Sequence, residues 1–573
     1  MKKIVSLIAC FITCAVLLQY RIAYSGIAEG QPRLNITTWD ASGYYMYLPA
    51  IFIYHDATKL TWLGDVDKKY SVTGGNGWQA EKQPNGNYVY KYLGGVAIME
   101  LPFFLTGHFI ALHSNYPADG YSAPYEYAIA FGALLYCMLA IFLLRKILLR
   151  YFTDHVAAIA IPMVCLATNF IEYVAIESGQ SHAWIFPLYV LVLYATMKWH
   201  DRPRIGWAAL IGYIIGLAMI SRPTEAIMLF IPLMWGTQNK EAAKEKWQLV
   251  KQHRSHIVSA ATFGLIGILP QLIYWKIASG SFIYDVGSKW DFLNPHFRVL
   301  FGWEKGWFIY TPVTLFFIIG MFFIKKFPFR RSVLWFCLLN IYIIIAWSDW
   351  RYGGSYSTRA LMQSYGIFAL PFAAFTECVE TSRWRFVFYA LCIYLLVVNL
   401  FQIKQYQATI LHYNDMNRQY YGSIYLNAHP SPIDMSLLDT DERLKNEQSY
   451  HSAILAHSDT NVRIHFDAGA SANIIDADLN NSGDTWMKIE TTIQPMNGVW
   501  DRYLNGAVKT GDSVKHMRIR MYNGISTDTT INNYAFYMHI PAYFAHSHFR
   551  LYMDGGNGFD GVMRKLMITE LNK

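Results

Sequence analysis

The chain has 573 residues, 54% of them hydrophobic and only 15% charged, with a net charge of +8. Length alone would allow several soluble domains, but apolar runs recur through the first 400 residues, and runs of roughly 17 to 25 apolar residues are long enough to cross a bilayer. The basic residues fall in short clusters between these runs, the positive-inside pattern of a membrane protein and not a face for nucleic acid; all seven cysteines lie in or beside apolar segments, so no disulfide framework or metal-type spacing follows.

Residues 4–20 follow Lys2 and Lys3, and the next residues offer no small-x-small cleavage site, so they read as a retained first helix. A long first outer loop follows, residues 21–92. It contains Trp39-Asp40-Ala41-Ser42-Gly43-Tyr44-Tyr45-Met46-Tyr47, one acid among four aromatic rings. Two readings of Asp40 stand side by side. It can cap a helix that starts at Ala41, or act as a general base at the membrane surface. Residues 44–54 suggest an interfacial helix with rings at headgroup depth. Asn85-Gly86 between residues 78–83 and 88–92 is a hairpin signal. Residues 93–112 are apolar enough to cross, but their flanks carry no strong cytoplasmic signal. Gly94-Gly95 and Pro102 also allow a bent or re-entrant path, so this stretch is expected not to span.

Further helices are expected near 124–144, 155–174, 182–198, 205–220, 224–237, 257–277, 307–324, 332–347, 359–378 and 384–403, about eleven with the first. Basic clusters such as Arg145-Lys146, Arg202 to Arg204, Lys325-Lys326 and Arg383 to Arg385 mark their cytoplasmic ends. An odd count places the C-terminus outside. After about residue 405 the runs shorten and alternate as strands do, in 486–493, 516–521, 536–540, 549–553 and 563–568. The fold expected is an α-helical polytopic membrane domain, 1–405, followed by an extracytoplasmic β-sandwich-like accessory domain, 406–573.

The middles of the expected helices hold neutral polar residues such as Asn169, Asn340 and Gln363, not the midplane ions of ion-coupled transporters. The ionisable candidates crowd the outer loops: Asp40, Lys91, Glu177, His182, Arg222, Glu225, Lys305, Asp349, Arg351 and Arg359 among them. If those loops converge, a carboxylate would face several cations, the arrangement that glycosyl transfer from a lipid phosphate needs. Arginine suits a phosphate through its fixed fork of donors. Duller roles remain open for each. Arg222 before Pro223 can end a helix and snorkel to headgroups. Glu177 can be a solvated loop acid, His182 a helix-start polar residue, and Asp349, Arg351 and Arg359 a structural ion pair.

In order along the chain, the segments 39–45, Lys91-Tyr92-Leu93-Gly94-Gly95, Glu177 to His182, Ser221-Arg222-Pro223-Thr224, Phe301 to Pro312 and Trp350 to Arg359 resemble the GT-C superfamily of polytopic glycosyltransferases, in its protein O-mannosyltransferase and lipid A aminoarabinose transferase branch. The resemblance covers about residues 1 to 405. It implies Asp40 as catalytic base of an inverting transfer and a polyprenyl-phosphate-linked sugar as donor. Lys91, Arg222 and Arg351 become phosphate-side residues, and Glu177, His182, Arg359, Tyr44 and Tyr45 line the substrate. No cofactor is required by the sequence; Glu177, where relatives often have Asp, leaves a divalent metal open. Tyr92-Leu93 replaces the usual double proline. The acceptor would be a lipid, glycan or protein at the outer face of the cytoplasmic membrane. A non-catalytic transporter or scaffold of envelope glycan assembly is the rival, and a polysaccharide ligase or polymerase a third reading.

Overall fold

Where no water can satisfy a backbone, a chain closes its hydrogen bonds within helices. In the computed structural model, which describes residues 3–26, 35–75, 77–479 and 483–573, the apolar runs do so. Lys2, and residues 27–34 and 76 of the expected first outer loop, lie outside the described residues. Among the described residues five helices are long and apolar enough to cross a membrane: Val5–Ala23, Gly95–Leu112, Ala123–Tyr151, Arg254–Ser279 and Arg385–Gln407.

The second of these shows no bend or re-entrant break. Residues 95–112 form one continuous helix of spanning length, with Pro102 inside it. Gly94-Gly95 allows a bend, but its smallness serves a contact. The Gly95 N–H donates to the Ile220 carbonyl at 2.8 Å, and a Cβ there would lie 2.6 Å from the backbone nitrogen of Ser221. The helix start therefore abuts the residue before Arg222.

Ser181–Asp201, Ile205–Met219, Arg330–Ile345 and Tyr365–Glu380 also form as helices. Four expected spans are interrupted instead. The one near 155–174 stops at Leu166 and resumes as a π-turn, Glu172–Ile176. The one near 224–237 begins as a 3₁₀ turn, Pro223–Leu229. That near 307–324 divides into Trp307–Tyr310 and Thr314–Gly320 around Pro312, which has no N–H to give. That near 359–378 divides into Arg359–Met362 and Tyr365–Glu380. In each case the break leaves polar side chains at the end of the element.

In the first loop the one helix expected over 44–54 is replaced by two short ones, Asp40–Tyr45 and Tyr47–Phe52; Leu63–Tyr70 adds a helix that was not expected, and β1 (Ala80–Lys82) and β2 (Tyr88–Tyr90) follow. The hairpin pairs Ala80 with Tyr90 and Lys82 with Tyr88 across the Asn85-Gly86 turn.

The chain divides into two units, residues 1–400 and 401–573. The second carries β3 (His451–Ser458), β4 (Val462–Phe466), β5 (Ser471–Asp478), β6 (Thr485–Pro495), β7 (Arg502–Thr510), β8 (Ser513–Arg520), β9 (Asn532–Ile540), β10 (His548–Gly555) and β11 (Phe559–Asn572). They make two antiparallel sheets, β5-β10-β7-β8 and β3-β11-β6-β9, with β4 added to β11. Burial alternates strictly along β6, as a strand with one covered face must. Met487, Ile489, Leu504, Met517, Phe536, Phe549, Leu551 and Met553 meet in one core.

Candidate active site

Asp40 is the first residue of its helix, not its cap. The residue before it, Trp39, has φ 53°, a strained setting for a bulky side chain. It is held there by a hydrogen bond from its N–H to the Val72 carbonyl (2.9 Å) and one from Gln79 Nε2 to its own carbonyl (3.2 Å). The turn frees the Asp40 carboxylate from the helix backbone. Oδ1 accepts from the Tyr92 hydroxyl at 2.7 Å and Oδ2 from Arg359 Nη2 at 2.5 Å. Ionised carboxylates offer about four acceptor positions, so both oxygens keep a lone pair. The Asp40 side chain is 24% exposed and that of Arg359 10%: the acid is reachable and the cation is not.

Tyr92 gets there because of Gly43. A Cβ on Gly43 would lie 2.1 Å from Cδ2 of the Tyr92 ring, so only glycine lets that ring lie across the helix and reach back to Asp40. Burial, and then the Asp40 carboxylate, raise the Tyr92 phenol far above its ordinary pKa, so it remains a donor. Tyr92→Phe removes one hydrogen bond of about 0.5–1.5 kcal/mol, roughly tenfold in rate. Gly43→Ala, which displaces the whole ring, is expected to lose more activity than Tyr92→Phe; equal losses in a turnover assay would refute the packing argument.

A second acid stands beside the first. Glu177 follows the π-turn Glu172–Ile176, and burial lifts its pKa to about 7, opposed by Arg359 and Lys305 and reinforced by Asp40. Lys305 Nζ donates to the carbonyls of Arg351 (2.7 Å) and Gly353. The loop carrying Arg359 is pinned elsewhere too. The Tyr356 N–H donates to the Tyr173 hydroxyl at 2.9 Å, and the Tyr356 hydroxyl donates to Asn399 Oδ1 at 3.1 Å. Asn399 Nδ2 in turn donates to the Leu166 and Thr168 carbonyls, where the interrupted helix leaves acceptors free.

Next to this pair runs a polar chain. Glu225 accepts from Tyr189, from Thr224 at 3.1 Å and from Gln363 Nε2 at 2.5 Å. With its amide nitrogen committed to Glu225, Gln363 presents its oxygen to His182 Nδ1 at 2.8 Å. That places the imidazole proton on Nδ1 and leaves Nε2 an acceptor. Arg222 Nη1 lies 3.4 Å from both ring nitrogens. Arg222, Glu225, Trp347, Tyr352 and Gln363 line one small cavity. Tyr44, edge-on to Tyr92 with ring centroids 4.7 Å apart, accepts influence from both sides, from Arg222 as well as Asp40 and Arg359.

Of the residues singled out in the sequence, Asp40, Arg359, Glu177 and Tyr44 come together, with Arg222 and His182 beside them. Three do not join by a side-chain contact. Tyr45 is fully buried, its hydroxyl on the Gly120 carbonyl and its ring against Tyr121. Arg351 is exposed and stacks on Trp350 at 5.2 Å. Lys91 is half-buried and makes no ion pair among the described residues. Sequence reasoning missed Tyr92 as partner of Asp40, and Gln363 as the residue that orients His182. It missed Glu126 as well, which accepts from the Ile36 N–H (2.6 Å) and from Thr37 and so holds the approach to Asp40. Among the described residues no group of three or more His, Cys, Asp or Glu gathers as metal ligands.

Residues 124–275 match the family model described as dolichyl-phosphate-mannose-protein mannosyltransferase. No curated protein matches the chain. Among solved structures, it is similar to ArnT from Cupriavidus metallidurans bound to undecaprenyl phosphate, with 12% identity over 73% of this chain and 68% of that one and a TM-score of 0.43. It is similar also to the oligosaccharyltransferase of Archaeoglobus fulgidus in its apo form, with 12% identity over 74% of this chain and 58% of that one and a TM-score of 0.43. A third similarity is to the VP2 subviral particle of infectious bursal disease virus, with 11% identity, 22% of this chain, 33% of that chain and a TM-score of 0.18. The chain thus spans about a third of VP2 and somewhat over half of the archaeal enzyme. The GT-C-type resemblance read from the sequence agrees with the family match.

Proposed function

We propose that the protein transfers a sugar from a polyprenyl-phosphate-linked donor to an acceptor at the outer face of the cytoplasmic membrane, with inversion at the anomeric carbon. Asp40 takes the proton of the acceptor hydroxyl or amine as the new glycosidic bond forms, and the bond to phosphate breaks on the opposite face. Arg222 meets the charge growing on the departing phosphate, and His182, with Nε2 left unprotonated, accepts a hydrogen bond from donor or acceptor. Arg359 holds the base in position, and its Nε, buried without a hydrogen-bond partner among the described residues, is a donor in reserve. Lys91 and Arg351 enter this reading as phosphate-side residues through the resemblance alone. Residues 406–573 serve as an extracytoplasmic accessory domain that orients the acceptor.

The observation that carries this reading is the Asp40 carboxylate: part-exposed, oriented by two donors, and paired with Arg359 from a distant part of the chain. Incubating membranes with labelled polyprenyl-phosphate sugars and following the label tests it. Label arriving on a lipid, glycan or protein acceptor supports transfer. Label that only changes sides of the membrane supports the rival, a transporter.

Glu177 adds a pH dependence. In the unfolded chain it ionises near 4.5 and in the folded protein near 7. Between those values the folded state keeps a proton that the unfolded one has lost. Its contribution is therefore full below 4.5 and disappears as pH rises through 7. Glu177→Gln should lose less thermal stability than wild type between about pH 5 and pH 8, measured by melting in detergent. Parallel curves would refute a raised Glu177 pKa.

A further inference from the structure

The helix Lys240–Gln252 is capped by Asn239, whose side chain accepts from the Ala242 N–H at 2.8 Å. After a single non-helical residue, His253, the chain enters Arg254–Ser279, a helix long and apolar enough to cross a membrane with only 11% of its apolar window buried. A span that bare faces lipid, so the helix before it must lie at the level where lipid headgroups begin.

Its side chains are sorted accordingly. At 100° per residue, Lys240, Lys244, Trp247 and Lys251 fall within about 60° of one another, and all four are exposed. Glu241, Glu245, Gln248 and Gln252 occupy the neighbouring face. On the other flank, Ala243, Lys246 and Val250 turn inward, and Lys246 Nζ donates to the carbonyls of Pro232 (2.7 Å) and Leu233. That fastens the helix to the end of the preceding one. None of Lys240, Lys244 and Lys251 has a carboxylate within ion-pair distance among the described residues. Lys240 and Lys244 stand one turn apart, a spacing that destabilises an isolated helix when the charges are alike. The charge calls for an anion from outside the chain.

We propose that this stripe is a binding surface for anionic phospholipid headgroups, with Trp247 seated at the interface among three lysines. The occupant is set by chemistry: separate phosphates in one plane match ammonium groups spaced along a helix, and the indole between them suits the boundary between headgroup and acyl chain.

The test uses the full chain in nanodiscs, with Cys378, the one exposed cysteine, changed to Ser and a bimane label on Gln248→Cys. Phosphatidylcholine discs receive the same small fraction of dibrominated phosphatidylglycerol or dibrominated phosphatidylcholine. The brominated anionic lipid is expected to quench roughly threefold more strongly. The preference should shrink at about 0.5 M salt and vanish in K240Q/K244Q/K251Q. Equal quenching by both lipids, or a preference that survives salt and the triple variant, would overturn the proposal. Quenching by neither would place the stripe against water or another protein, and overturn it too.

Discussion

Asp40→Asn is expected to lower turnover of a lipid-linked sugar by about two to four orders of magnitude in protein that remains folded. The amide keeps the size of the carboxylate, and its oxygen can still accept from Tyr92 or Arg359, but it cannot take a proton. Asp40 is part-exposed, but the change leaves the buried Arg359 without its paired charge, so it should also lower the melting midpoint. The diagnostic result is therefore a fall in kcat far larger than the loss of stability explains, in protein that still folds. Wild-type turnover in the folded variant would remove Asp40 from the chemistry and leave it as the partner of Arg359.

Arg359→Met should cost stability as well as activity. Removing one member of a buried ion pair typically costs about 3–5 kcal/mol, because the other is left uncompensated. Partial exposure of Asp40 reduces that here to about 2–4 kcal/mol. The loss is compounded by Glu177, which also relies on Arg359 to offset its burial. Adding Asp40→Asn to Arg359→Met should restore part of the stability and none of the activity. If the double variant melts no higher than the single one, repulsion between the acids is not what Arg359 relieves. Arg359→Lys would not substitute, since an ammonium lacks the fork that reaches Asp40 while leaving a donor to spare.

Much of this was legible in the residues. Long uncharged runs announce spans because hydrocarbon tolerates little else, and the strict alternation around Trp486 to Ile493 announces a half-covered strand. The outer loops announced their acids and arginines because charges are costly anywhere deeper. What stayed hidden was pairing. Nothing in the order of residues says that Arg359 reaches Asp40, 319 positions away. Tyr92 read as a departure from a proline pattern, although its ring is what Gly43 makes room for. Gln363 read as a neutral midplane residue, although it links Glu225 to His182. Gly94-Gly95 misled for a related reason: glycine marks a bend and a close approach with the same letter, and only the neighbour across the contact tells them apart.

Asn399 has a further consequence. It belongs to Arg385–Gln407, the last long apolar helix of the chain, and through it the Leu166–Thr168 break is braced to Tyr356. A nascent chain released near residue 380 would already contain every acid and arginine placed in the site, yet without that final strut the two loops have lost a common anchor. Competence should therefore arrive late in biosynthesis, when the last helix docks. Supplying residues 385–573 as a separate polypeptide to such a truncated chain should restore turnover if the brace is what it lacks.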